Sequence, residues 1–361
     1  MLMTTPDIFF AVLRAGLWEQ DLRLDAAPGA DGWQEVLQTA RDQAVLGLVY
    51  RGMAHLPAEQ LPPAPVRMRL LSDVDRIARR VQALGAVEHD LLERLRAAGL
   101  HPTVQKGSEA GKYYAHPELR ESGDIDLCFP AGELPLARET VTAAGAASVH
   151  TASDASVVCR YRDVTVELHP RYFDLHVGEA RLPEVPSVVA ELVMLSAHIL
   201  KHAIGEGVGC KQLCDMARAL DGAEGRYDKA ALRVALRRCG LLRWHRLLCS
   251  LLVTDLGLDP ARCLPDAFAP DAGTPAPAGS AAHAAGAGTF VPCDPEPLRR
   301  IVLRGGAFGY ADPARRQAVS RGSAARKAHA AGAFLRRLPF SLRIAPRETI
   351  ATLAELIRGN L

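Results

Sequence analysis

Cysteine pairs at metal-ligand spacing are missing from this chain. Its eight cysteines include no Cys-x-x-Cys, and only Cys210 and Cys214 stand close, four apart on a helix where they pack as small hydrophobes. No zinc finger is visible, and with no export signal reduced thiols are the expectation. Aromatic residues make up 5%, too few for an RNA-binding platform of stacked bases. No long hydrophobic run exists: Val188 to Leu200, the most apolar stretch, is interrupted by Glu191 and is too short to span a membrane. Met1 to Leu17 has no basic n-region and carries Asp7, so the expectation is a cytoplasmic protein without membrane contact. No DNA-binding motif is evident. What is present is ordinary for a globular protein: 361 residues, 48% hydrophobic and 23% charged, enough for two or three domains.

Periodicity divides the chain into helical ends and a strand-bearing middle. Residues 1–98 read as helices over Pro6 to Gln20, Trp33 to Ala54 and Ala64 to Ala98, the last with Leu84, Val87, Leu91, Leu92 and Leu95 at helical spacing. Residues 99–180 carry the strands. Helices resume over 181–263, at Ser187 to Ala203, Cys210 to Leu220, Asp228 to Cys239 and Leu241 to Leu256. Residues 264–297 are rich in Pro, Ala and Gly with almost no bulky apolar side chain, which predicts a flexible linker. Residues 298–361 form a basic helical segment; from Asp294 onward thirteen Lys or Arg face five Asp or Glu, a balance that steers polyanions or simply marks a solvated arginine-rich face.

The candidate chemistry lies in the middle part. In Ser122-Gly123-Asp124-Ile125-Asp126-Leu127-Cys128-Phe129, alternation along a strand puts Asp124 and Asp126 on one face while Ile125 and Leu127 enter a core. Two adjacent anions suit Mg²⁺, which takes one or two carboxylates and completes its shell with water and phosphate oxygens. Read alone, the pair is first of all a polar strand end with two solvated aspartates. Upstream, Leu100 to Gln105 reads as a strand entering Lys106-Gly107-Ser108, with a helix starting over Glu109 to Tyr114; this is an anion cradle or an ordinary turn. Downstream, Val164 to His169 alternates cleanly and sends Thr165, Glu167 and His169 to its polar face. Glu167 is a third candidate ligand, unless this is an edge strand facing water.

Taken in order, Lys106-Gly107-Ser108, Tyr114-x-x-Pro117-x-x-Arg120, Gly123-Asp124-Ile125-Asp126-Leu127 and Val166-Glu167-Leu168-His169 resemble the DNA polymerase beta-like nucleotidyltransferase superfamily, and within it a family of uncharacterised bacterial nucleotidyltransferases. His198-Ile199-Leu200-Lys201-His202, Leu213-Cys214-Asp215 and Gly305-Gly306-Ala307-Phe308-Gly309 extend the likeness. The resemblance implies an α+β fold: a small mixed β-sheet nucleotidyltransferase core flanked by N-terminal and C-terminal helical regions. It implies that Asp124 and Asp126 hold two Mg²⁺ ions, with Mn²⁺ as an alternative, that Glu167 helps to hold the second ion or acts as base, and that Gly107 and Ser108 contact the β- and γ-phosphates of an NTP. A hydroxyl on an acceptor, whether small molecule, peptide, protein or RNA, would then attack the α-phosphate and expel pyrophosphate. A catalytically silent nucleotide-binding or scaffold protein of the same fold is the alternative.

Supporting residues each carry two readings. Lys106 contacts the triphosphate or is solvated; Arg120 reaches a phosphate or pairs with Glu118 or Glu121; His169 borders the nucleotide and acceptor or is a hydrogen-bonded strand-end histidine. His198 and His202 sit at i and i+4 as in zinc peptidases, but Ile199 stands where those enzymes need Glu, so the pair lines a helix contact or borders the cleft. Lys211 and Asp215 are expected to form an exposed intrahelical ion pair.

Overall fold

The computed structural model describes residues 4–358 except 153, 206, 266–289 and 310. Its first helices are α1 (Thr5–Trp18), α2 (Ala30–Asp42), α3 (Leu46–Met53) and α4 (Ala64–Ala97). Thr4 caps α1 in a capping box with Asp7, and Pro6 occupies the first turn, where no amide donor is needed. The single helix expected over Trp33 to Ala54 is broken. Ala44 takes a left-handed φ of 52°, and Gln43 turns its side chain inward, accepting from the amide of Cys210 at 2.9 Å and donating to the carbonyl of Val302 at 3.0 Å. A buried polar side chain that satisfies backbone groups of two distant segments outweighs continuation of the helix.

Five strands form one mixed sheet in the order β1-β2-β5-β4-β3, and among the described residues it is joined by fourteen α-helices. The strands are β1 (Thr103–Val104), β2 (Asp124–Cys128), β3 (Ala147–Thr151), β4 (Val157–Tyr161) and β5 (Val164–His169). The expected α+β architecture with helical regions at both ends is therefore present. Short helix α5 (Ser108–Gly111) follows β1, and α6 (Leu134–Ala143) follows β2. Strands β4 and β5 join through Arg162 and Asp163, both at positive φ (46° and 63°), the geometry of a two-residue hairpin turn matched to strand twist. Ile125, Leu127, Val166 and Leu168 form a core with Leu91 and Leu95 of α4 and Val141 of α6. That leaves the opposite sheet face for the acids.

A second and larger core unites helices distant in the chain. Phe9 and Leu13 of α1 belong to it together with residues of α7 (Val188–Ile204), α8 (Cys210–Gly222), α9 (Lys229–Cys239) and α10 (Leu242–Leu256). The N-terminal helices thus pack on the later ones. Ser187 caps α7, accepting from the amide of Ala190 at 3.1 Å. The middle of the stretch read as a linker, 266–289, lies outside the described residues. Its described end is anchored, with Phe290 buried and the Cys293 amide donating to Ser250 Oγ at 2.9 Å. The chain continues through α11 (Glu296–Gly305), α12 (Pro313–Ser320), α13 (Ser323–Ile344) and α14 (Pro346–Ile357).

The Gly305–Gly309 segment meets the start of α8 backbone to backbone. A Cβ on Gly209 would lie 2.6 Å from the Ala307 Cα, a contact only movement of the main chain relieves. Gly209→Val is therefore expected to lower stability by about 1–3 kcal/mol in denaturant melts, the usual cost of overpacking.

Candidate functional site

Strands β2 and β5 run parallel in a register that sets Asp124 opposite Thr165, Asp126 opposite Glu167 and Cys128 opposite His169. Because side chains alternate, the polar residues of both strands share one face. Asp126 is buried, and its Oδ1 meets two donors: Lys106 Nζ at 2.9 Å and His169 Nε2 at 2.8 Å. Glu167 Oε2 lies 3.6 Å from the same imidazole nitrogen. One donor atom from each of Asp126, Glu167 and His169 falls within 4.8 Å of the others.

Electrostatics follow from this crowding. Burial opposes ionisation of Asp126, but Lys106 and His169 outweigh it and hold the carboxyl well below its ordinary range. Burial and the neighbouring Asp126 charge push the Glu167 carboxyl up. Burial also works against the Lys106 ammonium, yet Asp126, Asp174 and Asp124 together keep it above its usual value. The cluster therefore sets a firmly charged anion–cation pair beside a carboxylate of increased proton affinity. Two carboxylates and one imidazole fit a divalent cation: the oxygens suit Mg²⁺, and the nitrogen widens the choice toward Mn²⁺ and related ions. Asp124, half-buried, sits two residues before Asp126 on the same strand, and its charge is felt by Lys106, Glu167 and Lys211.

Gly107 supplies the turn after β1. Its φ of 60° with ψ of −115° is a backbone state that side chains disfavour, and it places the turn next to the Asp124 carbonyl. Ser108 follows, but its hydroxyl donates to Glu88 of α4 at 2.5 Å. Burial pushes the Glu88 carboxyl up. In such a group the unfolded chain ionises first, so its contribution to stability is present below the unfolded pKa and lost as pH rises through the folded one. Glu88→Gln is expected to match the native chain in thermal melts near about pH 4 and to exceed it near about pH 8.

Two expected pairings are revised. Arg120 pairs with a more distant acid than Glu118 or Glu121: its Nε donates to Oδ1 and its Nη2 to Oδ2 of Asp215, each at 2.7 Å. The expected surface setting of Lys211 and Asp215 is corrected: the Lys211 charge acts on an Asp215 carboxylate inside the protein. That carboxylate also accepts from Tyr114 Oη at 2.8 Å. The Tyr114-x-x-Pro117-x-x-Arg120 motif thus clamps the segment before β2 to α8. Gln105 adds a second tie, donating to the carbonyls of Arg171 and Tyr172 at 3.0 and 2.8 Å.

His198 and His202 pack edge to face with ring centroids 4.5 Å apart. His198 Nδ1 lies 3.2 Å from Asp174 Oδ2, and Lys201 Nζ 3.0 Å from Asp174 Oδ1. Asp174 was not singled out from the sequence, because it follows β5 in an irregular segment. Its carboxyl is held well below the ordinary range: burial opposes this, but His198 and Lys201 prevail.

No helix among the described residues is long and apolar enough to cross a membrane. A model for a family described as uncharacterised nucleotidyltransferases matches residues 29–255, more than half of the chain and all of the site just described. No curated protein and no solved structure matches the chain.

Proposed function

As the chain belongs to this family of uncharacterised nucleotidyltransferases, we propose that it transfers a nucleoside monophosphate from an NTP to a hydroxyl acceptor, with release of pyrophosphate and dependence on a divalent metal, Mg²⁺ first. The observation that carries this reading is the convergence of Asp126, Glu167 and His169 within 4.8 Å. Asp126 and Glu167, with Asp124 beside them, would hold the metal, two ions being the expectation. When bound, the metal neutralises charge on the triphosphate and acidifies the acceptor hydroxyl. Lys106 adds a fixed positive charge at the same place, and the Gly107-Ser108 turn would receive the β- and γ-phosphates. Glu167, with its raised proton affinity, would accept the hydroxyl proton. The acceptor oxygen bonds to the α-phosphorus, the bond from that phosphorus to the bridging oxygen breaks, and pyrophosphate leaves with the electron pair. Positioning and charge neutralisation suffice for such a transfer, without a covalent nucleophile.

One observation favours a catalytically silent nucleotide-binding protein instead: Lys106 Nζ stands 2.9 Å from Asp126, and in that reading the ammonium would balance the carboxylate in place of a metal. Incubation with each α-³²P-labelled NTP, with Mg²⁺ or with EDTA, separates the two. The transferase reading expects pyrophosphate release and labelled product only with metal. Nucleotide binding without pyrophosphate release would establish the silent reading.

A further inference from the structure

A cavity of about 480 Å³ opens beyond the C-terminal end of β5. His169, whose Nε2 contacts Asp126, forms part of its wall. Phe173, Leu200, Ile204, Phe334 and Leu356 give the wall a large apolar area, while Asp174, Lys201, His202, Lys327 and Glu348 add charged and polar groups. Helices α13 and α14 close it. Glu348 of α14 accepts from the His176 amide at 3.0 Å, and Arg337 of α13 donates to the Ala203 carbonyl at 3.2 Å.

Position along the sheet assigns this cavity to one substrate. The Gly107 turn lies against Asp124, which pairs with Thr165, whereas the cavity begins at His169, which pairs with Cys128. Four residues of strand, about 13 Å, separate these ends. Asp126 and Glu167 lie between them. A triphosphate seated at the turn therefore approaches the acids from one side and leaves the cavity for the second reactant.

We infer that the cavity seats the acceptor, a small molecule with an apolar body whose hydroxyl reaches past His169 to Glu167. The inference rests on the transferase reading above. The volume matches a small organic ligand, and the continuous apolar part of the wall suits an apolar body, with the polar groups left for its hydroxyl end. Lys327, Phe334, Glu348 and Leu356 lie outside the family-matched segment 29–255, so acceptor choice rests partly on helices separate from the transfer core.

The test uses the full chain, α-³²P-labelled NTP with Mg²⁺, and primary alkanols from butanol to decanol as acceptors. KM is expected to fall about fourfold per added methylene until the cavity is full, the equivalent of about 0.8 kcal/mol per buried CH₂. Ala331→Trp, which fills the cavity, should abolish this dependence and leave the affinity for a fluorescent ATP analogue unchanged. Phe334→Ala, which enlarges it, should shift the optimum to longer alkanols and keeps the test open if the tryptophan variant folds poorly. Chain-length-independent KM, or loss of ATP-analogue affinity in Ala331→Trp, would overturn the assignment while leaving transfer itself in place. Displacement of 1-anilinonaphthalene-8-sulfonate by octanol reads the cavity without turnover: it should occur in the native chain and not in Ala331→Trp. Failure of displacement overturns the cavity assignment, whereas displacement without any labelled product overturns only the transferase reading.

Discussion

Asp126→Asn is expected to reduce nucleotidyl transfer by at least about 10²–10³-fold, the scale on which removing one preorganised electrostatic contact acts. The substitution keeps the shape of the side chain and a carbonyl oxygen that can still accept from Lys106 and His169, so the sheet should survive. What it removes is the negative charge. Without it, the metal loses a ligand and Lys106 loses the largest of the attractions that hold its ammonium charged against burial. The measurement is single-turnover transfer of label from an α-³²P-labelled NTP, with circular dichroism as the folding control. Glu167→Gln should give a loss of similar order and also flatten the acid limb of the pH–rate profile, since that carboxyl would no longer titrate as a base. Normal turnover in either variant would remove the proposed ion site.

The second large effect concerns stability. Arg120→Ala is expected to cost about 3–5 kcal/mol in equilibrium unfolding, because it strands the buried Asp215 carboxylate without its cation. Tyr114→Phe should cost less, about 1.5–3 kcal/mol, since it deletes one hydrogen bond to a charged group and leaves the ion pair. Replacing both partners, as in Arg120→Met with Asp215→Leu, should recover part of the loss, because the bidentate ion pair is then removed as a unit, although Lys211 loses a nearby anion. The pH dependence has a defined sign. Burial disfavours the Asp215 charge, but Arg120 and Lys211 hold its carboxyl below the ordinary range. Its contribution to stability is therefore present above the unfolded value and lost as pH falls through the folded one. In the Arg120→Met, Asp215→Leu variant that acid-side loss should shrink.

What sequence made legible was local. The i, i+2 alternation that sends Asp124 and Asp126 to one face, and Thr165, Glu167 and His169 to one face of another strand, depends only on strand geometry. Helix starts at Thr5 and Val188 were legible to within a residue or two, because Thr4 and Ser187 are side-chain caps. The parallel pairing of β2 with β5 was not, since α6, β3 and β4 intervene and nothing in either strand encodes its partner. Strand β3 carries almost no apolar alternation because it is mostly exposed, and in β4 the adjacent Val157 and Val158 blur the alternation of its buried side chains. The link between Arg120 and Asp215 spans 95 residues. Its only trace was an acid set among Leu213, Cys214, Met216 and Ala217, all buried, a context in which a carboxylate requires a partner. Reading Lys211 and Asp215 as a surface pair followed their spacing and overlooked that context.

Binding of Mn²⁺ to the full-length chain, followed by the electron paramagnetic resonance signal of the free ion, tests the account's central claim most directly. The native protein should take up Mn²⁺, more tightly when a non-hydrolysable ATP analogue is present, and the double variant Asp126→Asn, Glu167→Gln should lose that uptake while remaining folded. Undiminished uptake in the folded double variant would contradict the assignment of the metal to these two strands.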